Sequence, residues 1–386
     1  MRLSKNNWKI VKLLDVCQKV KNADIRKQSG KFNYIDIGSI NSNAKRISEI
    51  QELDWSNASS RARQIVEKGD TIFSTVRVNL ERIAFLDKEI PNAIASTGFT
   101  VIRANEKIDA AYLFYSTISP TFIGKLCKLQ KGTAYPAVSD KIVFNEEIPL
   151  PPLEEQKQIA SLFQAIETTM EQVEGQENNL KNLQKSLIEG LMNPTPLFGN
   201  LLNNKNCTAT TFGDVADCDK RYPEHANEIS RFVGLEYLEA ENFQLQGWGE
   251  IANGTTFSKR FVTGDVLFGK RRAYLKKVAV ADFDGICSGD ILVIRAKSKK
   301  MLQGLLPYYI SSDAFIQHAV STSAGSLSPR TKWKDLSEMA ISIPDLKTQE
   351  KILEVLQQLD DTVNLLKKQK ITLKNLKQKL LNEILG

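Results

Sequence analysis

Residues 148–192 read IPLPPLEEQKQIASLFQAIETTMEQVEGQENNLKNLQKSLIEGLM, and residues 341–385 read ISIPDLKTQEKILEVLQQLDDTVNLLKKQKITLKNLKQKLLNEIL. A constant offset of 193 aligns them, pairing Ile148 with Ile341, Gln156 with Gln349, Ile159 with Ile352, Leu180 with Leu373 and Leu187 with Leu380. Proline stands at both starts, where its fixed φ and missing N–H suit a first helical turn. Apolar residues then recur three and four apart. The first stripe is Ile159, Phe163, Ile166, Met170, Val173, Leu180, Leu187 and Leu191; the second is Ile352, Leu356, Leu359, Val363, Leu366, Leu373, Leu380 and Ile384. The spacing predicts helices over 153–192 and 346–386. At ~1.5 Å per residue each would run roughly 60 Å. Polar residues interrupt both stripes at matching places, Glu177 and Lys370, then Gln184 and Lys377.

A stripe of this length needs a covering partner. The first helix carries 3 Lys/Arg against 7 Asp/Glu, and the second 8 against 5, so opposite net charge favours pairing between them over self-pairing. Because the intervening chain must return, an antiparallel pair is the simplest arrangement; the sequence by itself also permits a parallel one.

The repetition continues into the globular parts. LLDVC (13–17) resembles FGDVADC (212–218), YIDIGSI (34–40) lines up with FVGLEYL (232–238), and KGDTIFSTVR (68–77) matches TGDVLFGKRR (263–272). AIASTGFTVIRA (93–104) matches GICSGDILVIRA (285–296), and KGTAYPAVSD (131–140) matches AGSLSPRTKW (324–333). Short β-branched runs bounded by Gly, Asp and Pro read as strands, with helices near YLFYSTISPTFIGKLC and LLPYYISSDAFIQHAV. The expected architecture is α+β: a first globular domain over 1–152, a helix over 153–192, the linker NPTPLFGN over 193–200, a second domain over 201–345 and a helix over 346–386, with an internal pseudo-two-fold relation.

At 386 residues there is room for two cores. No run approaches the ~18 apolar residues that cross a bilayer, and the basic N-terminus lacks the apolar stretch and cleavage site of a signal peptide. Five scattered cysteines without a CxxC pair predict a reduced, cytoplasmic chain with no structural zinc. The net charge of +7 is concentrated in residues 1–152, with 23 Lys/Arg against 16 Asp/Glu, which permits an anionic partner.

Catalytic motifs fail on their chemistry. Gly264 to Lys270 fits GxxxxGK in form, but Val-Leu-Phe fills the interior and Arg271 stands where magnesium needs Ser or Thr. It reads as a strand ending in a basic turn. Asn193-Pro194-Thr195-Pro196 lacks the aromatic residue that would stack on a flipped base. His225 and His318 are too few for a histidine-based site. The expectation is a chain that is not an enzyme and holds no metal or cofactor.

Taken together, the duplicated PLPPLEEQKQIA and IPDLKTQEKIL segments, each closing a globular unit and opening a Leu-rich helix, resemble the DNA specificity subunit of type I restriction-modification systems. The resemblance covers essentially the whole chain. It implies two target recognition domains, each reading half of a split double-stranded DNA sequence, and an antiparallel coiled-coil spacer that docks two adenine methyltransferase (modification) subunits. It further implies restriction/translocase subunits in the same complex, with S-adenosylmethionine, ATP and Mg on those partners and none in this chain.

Phosphate contacts supply affinity and base contacts supply sequence choice, and Arg and Lys serve both. The candidate DNA-binding residues in the second domain are Lys270, Arg271, Arg272 and Tyr274, with Arg330 and Lys332 around the loop Ser326-Leu327-Ser328-Pro329. Those in the first are Arg77 and Arg82 after Thr75; Lys131, Tyr135 and Lys141 around Gly132-Thr133; and Arg61 and Arg63. The helix-packing residues are Ile159, Phe163, Ile166, Val173, Leu180, Leu187, Ile352, Leu356, Leu359, Leu366, Leu373 and Leu380. Leu162, Leu183, Leu353 and Leu376 lie off the stripes and point to a further partner. The alternatives are a coiled-coil assembly scaffold without DNA function, or a DNA-modifying enzyme with catalysis in this chain. Binding to duplex DNA that weakens steeply as salt rises is the expected outcome, since phosphate contacts release counterions; a titration with no salt dependence would favour the scaffold.

Overall fold

The computed structural model describes residues 5–24, 28–192, 206–219 and 229–386. The expected linker over 193–200 and His225 lie outside the described residues. The chain folds into two compact units, Met1–Glu174 with Lys368–Gly386, and Gly175–Lys367. Each unit takes the globular part of one repeat, part of the central helix (Leu153–Met192) and part of the C-terminal helix (Leu346–Leu385).

In the first unit one four-stranded sheet has the order Gln51–Asp54, Lys31–Ile35, Ala93–Ser96, Ala62–Ile65, with its central pair parallel. The other has the order Cys17–Gln18, Phe99–Ala104, Thr71–Ser74, Ile83–Phe85, antiparallel throughout. The second unit repeats both orders, as Gly249–Glu250, Arg231–Val233, Gly285–Cys287, Lys259–Phe261 and as Ala216–Cys218, Ile291–Ala296, Val266–Gly269, Val278–Val280. A two-stranded ladder, Lys9–Lys12 with Glu147–Leu150 or Cys207–Thr211 with Ala340–Pro344, lies just ahead of each long helix.

The central strands are buried on both faces, which is why they read as continuous apolar runs instead of alternating ones. Ile72 and Val101 enter the cluster beneath the first sheet, while their neighbours Phe73 and Ile102 enter the cluster that contains the helices. Leu267 and Val293 divide from Phe268 and Ile294 in the same way. The segment that mimics a phosphate loop is therefore a buried strand, Val266–Gly269.

The repeated Gly-Asp turn has a physical reason. Gly69 and Gly264 adopt φ of +93° and +87°, which a side chain would resist. The following Asp70 and Asp265 are buried. Asp70 Oδ1 accepts from Arg103 Nε at 2.7 Å and Asp265 Oδ1 from Arg295 Nε at 2.6 Å, while their Oδ2 atoms accept from the backbone N–H of Glu67 and Val262. The repeated IRA ending of the neighbouring strand thus supplies the partner of the repeated turn.

Within the first unit Lys377 donates to Glu167, and Lys370 lies 2.8 Å from Glu174, so the two helices run antiparallel there. Ile159, Phe163, Ile166 and Val173 are buried and Leu373 and Leu380 half-buried; Leu381, Ile384 and Leu385 join the same core. Within the second unit Gln184 Nε2 donates to Asp360 at 2.6 Å. Leu187, Ile352, Leu356 and Leu366 are buried there, with Leu180 and Leu359 half-buried. The interruptions in the stripes are polar contacts: Tyr115 joins Glu167 and Lys377, and at the matching place Tyr308 joins Asp360 and Gln184. Leu162 and Leu353 are covered by the core of their own unit and leave only Leu183 and Leu376 of the four off-stripe leucines exposed.

Gln156 and Gln349, in the first turns of the long helices, are buried. Gln156 accepts from the Asp109 N–H and donates to the Lys107 and Pro151 carbonyls; Gln349 accepts from the Leu302 N–H and donates to those of Lys300 and Pro344. Each side chain thus serves three backbone groups and fixes where its helix leaves the globular part. Gln349→Ala strands those groups and is expected to destabilise the second unit by at least about 2 kcal/mol, lowering its melting temperature by roughly 4 °C or more. A loss below about 0.5 kcal/mol in chemical denaturation would show that water replaces the side chain.

Candidate nucleic-acid interface

In each unit, two loops far apart in sequence are joined to each other and to a third turn by main-chain bonds. In the first, Thr75 N–H donates to the Gly98 carbonyl, Val138 N–H to Thr75 and Arg77 N–H to Pro136 at 2.7 Å, while Lys131 and Ala137 exchange a bond pair. In the second, Lys270 donates to Asp290, Thr331 to Lys270 and Arg272 to Pro329 at 2.8 Å, and Ala324 and Arg330 exchange the pair. Gly132 and Gly325 turn the second loop with φ of +101° and +109°.

The first loop is a 3-10 turn, Val78–Leu80 or Ala273–Leu275. Left-handed residues flank it in both units: Arg77 (φ 50°) and Glu81 (φ 50°), then Arg272 (φ 53°) and Lys276 (φ 50°). Non-glycine residues hold this conformation at a cost and only where the surroundings fix it. Its occurrence at four matching positions marks a constrained surface feature, and Arg77 and Arg272 begin it.

The sequence-predicted residues divide by their surroundings. Arg77 stacks on Tyr135 at 4.8 Å and donates to the Ala134 carbonyl; Tyr135 itself is 71% exposed. Arg272 donates to the Leu327 carbonyl at 3.4 Å. Tyr274, Lys131, Lys141 and Lys332 are exposed, Lys131 in the joined loops and Lys141 and Lys332 just beyond them. Arg82 instead donates to the Ile40 carbonyl, as its counterpart Lys277 does to Leu235, so both brace the turn from below. Arg61 and Arg63 are exposed at the neighbouring sheet; the Arg61 carbonyl accepts from Thr97, next to Gly98, whereas Arg63 Nε donates to Ser60.

Arg271 and Arg330, assigned to separate clusters in the sequence, meet at one carboxylate. Asp290 Oδ1 accepts from Arg330 Nε at 2.7 Å, and Arg271 Nη1 lies 3.6 Å from Oδ2. The Arg330 hydrogen bond outweighs partial burial and holds the Asp290 carboxyl below its usual range, aided by the charges of Arg330, Arg271 and Lys270. A depressed folded value means the pairing contributes fully above the ordinary carboxylate range near ~4 and is lost as pH falls through the folded value. Lys276 and Lys185 likewise bond Asp313 and hold its carboxyl low, tying the end of the turn to the central helix within the second unit.

Sequence reasoning missed Asp290, Asp313 and the exposed Leu80, Leu275 and Leu327, the last 88% exposed at the loop tip. Asp290 had a signal: the aligned repeats place Asp there and Gly98 at the matching position. The leucines had none, because spacing along the chain does not tell a turn or loop leucine that stays exposed from one that packs inward.

The chain belongs to the family described as Type I restriction modification DNA specificity domain, which matches residues 5–182 and 213–375. The MjaVIII type I restriction enzyme specificity subunit of Methanocaldococcus jannaschii is 25% identical over 330 residues, 78% of this chain and 75% of the relative. The EcoDI specificity subunit of Escherichia coli is 29% identical over a shorter stretch, 40% of this chain and 34% of the relative. Among solved structures, the HsdS subunit of Thermoanaerobacter tengcongensis is similar over 98% of this chain and 96% of its own, with 26% identity and a TM-score of 0.53. A chain from work on complex assembly and conformational transition of the type I R-M system reaches a TM-score of 0.62 at 26% identity, over 99% of this chain and 98% of its own. The two-unit α+β fold with long helices is that of these specificity subunits. No helix among the described residues is long and apolar enough to cross a membrane.

Tyr135→Ala removes an exposed stacking partner, so the melting temperature is expected to stay within about 2 °C, while duplex affinity falls about 2- to 5-fold with loss of the cation–π support for Arg77. Fluorescence anisotropy checks this, and unchanged affinity would put Tyr135 outside the interface.

Proposed function

We propose that this chain is the sequence-reading, non-catalytic subunit of a type I restriction-modification complex in the cytoplasm. Residues 1–152 and 201–345 are its target recognition domains, each reading one half of a bipartite, non-palindromic duplex target. The helices over 153–192, which the linker 193–200 connects to the second domain, and over 346–386 set the separation of the half-sites and dock two adenine methyltransferase subunits. Exposed Leu183 and Leu376 support that docking. S-adenosylmethionine acts in the methyltransferase partners, and ATP and Mg in the restriction/translocase subunits; this chain contributes placement of the DNA.

The observation that carries this reading is the loop junction. Both units build it with the same main-chain bonds and the same left-handed flanks, yet dress it with different side chains. A repeated backbone gives each half of the DNA the same seat, and divergent side chains give each half its own sequence. Arg77, Lys131, Tyr135 and Lys141 serve one half and Lys270, Arg271, Arg272, Tyr274, Arg330 and Lys332 the other, with Arg61 and Arg63 beside the first; Arg82 braces from below.

A methyladenine map of DNA from cells expressing the chain with its methyltransferase partner is expected to show a split, asymmetric motif that vanishes when the chain is omitted. An unchanged map from a folded, assembled complex would sink the role. Inserting four residues at matching points of both helices should change the gap between half-sites and leave the half-sites themselves intact; altered half-sites would refute the spacer.

A further inference from the structure

Beyond the shared backbone, the second unit holds one charged arrangement that the first lacks. Asp290 grips Arg330 through two bonds, Nε to Oδ1 at 2.7 Å and Nη2 to Oδ2 at 3.2 Å. Arg271 approaches the same carboxylate with Nη1 and donates through Nη2 to Ser328 Oγ at 3.1 Å. The Arg side chains are 41% and 47% exposed, against 21% for Asp290. By repeat position, the first unit has Val76, Gly98 and Ala137 in place of Arg271, Asp290 and Arg330.

We propose that Arg330 reads a guanine in the half-site bound by the second unit, with Asp290 as the positioning residue that fixes the plane of its guanidinium. This deepens, and rests on, the reading of the chain as a DNA-recognition subunit. A guanidinium gripped along its Nε–Nη2 side leaves its end, where Nη1 and the second Nη2 hydrogen point together, outside that grip. Nη1 has one loose contact, 3.4 Å from the Ser328 carbonyl, and retains another hydrogen. That end matches the paired N7 and O6 acceptors that only guanine presents in the major groove. Charge separates base from phosphate as the target. A phosphate clamp gains from every uncompensated cation, whereas Asp290 offsets half of the positive charge of the two arginines. What the carboxylate adds is orientation, and orientation matters for a planar, two-point contact.

The test uses the complete complex with its methyltransferase partner and compares methyladenine maps for the unmodified chain, Arg330→Lys, Arg330→Ala and Asp290→Asn, each checked by melting temperature and assembly. Arg330→Lys keeps the charge and loses the fork. It is expected to make a single G·C position in one half-site degenerate, with discrimination there falling about 5- to 150-fold, the equivalent of about 1–3 kcal/mol for a bidentate contact. The other half-site stays unchanged. Asp290→Asn is expected to relax the same position to a smaller extent, which a loop staple alone would not do. If Arg330→Ala weakens methylation uniformly and Arg330→Lys restores it, Arg330 is a phosphate contact and the proposal falls while the split motif stands. An intact motif in Arg330→Lys overturns it equally, and that variant decides the matter should Arg330→Ala fail to assemble. A complex of the unmodified chain that yields no split motif would instead remove the underlying reading.

Discussion

A forty-residue amphipathic helix exposes an apolar stripe that nothing within the helix can cover, and the architecture follows from covering it. Each buried Leu, Ile or Phe is worth about 1.5–3 kcal/mol over its exposed state. In the first unit the stripe at Ile159 and Phe163 shares a core with Leu381, Ile384 and Leu385; in the second, Leu187 and Leu191 share one with Ile352 and Leu356. Each compact unit is consequently assembled from distant parts of the chain, and neither repeat is complete without a stretch of helix from the other.

Apolar burial is not directional, so polar groups fix the register. Gln156 and Gln349 lock the helix starts to the globular parts through three backbone groups each. The Tyr115–Glu167–Lys377 and Tyr308–Asp360–Gln184 contacts do the same along the helices, since a half-buried carboxylate tolerates a one-turn slip only by losing its partners. The Asp70–Arg103 and Asp265–Arg295 pairs perform that service inside the sheets.

On this scaffold the candidate interface separates geometry from identity. Main-chain bonds and left-handed residues build the loop junction and tolerate different neighbouring side chains, as the contrast between Val76, Gly98 and Ala137 and Arg271, Asp290 and Arg330 demonstrates. One backbone thus carries unlike side chains in the two halves of the chain.

The sequence by itself determined the duplication, the two long helices, the α+β character and the positions of the paired loops, because periodicity and Pro and Gly placement are local signals and the duplication is visible when the chain is aligned with itself. It carried no statement of which side chains share a carboxylate. Arg271 and Arg330 are 59 residues apart in the chain and meet only because two loops are laddered together. Arg82 reads as one more surface cation until the fold sets it against the Ile40 carbonyl, and Leu162 and Leu353 read as free apolar surface until the cores close over them. Tertiary structure alone decided these roles, since a side chain's partner depends on long-range contacts that spacing along the chain does not encode.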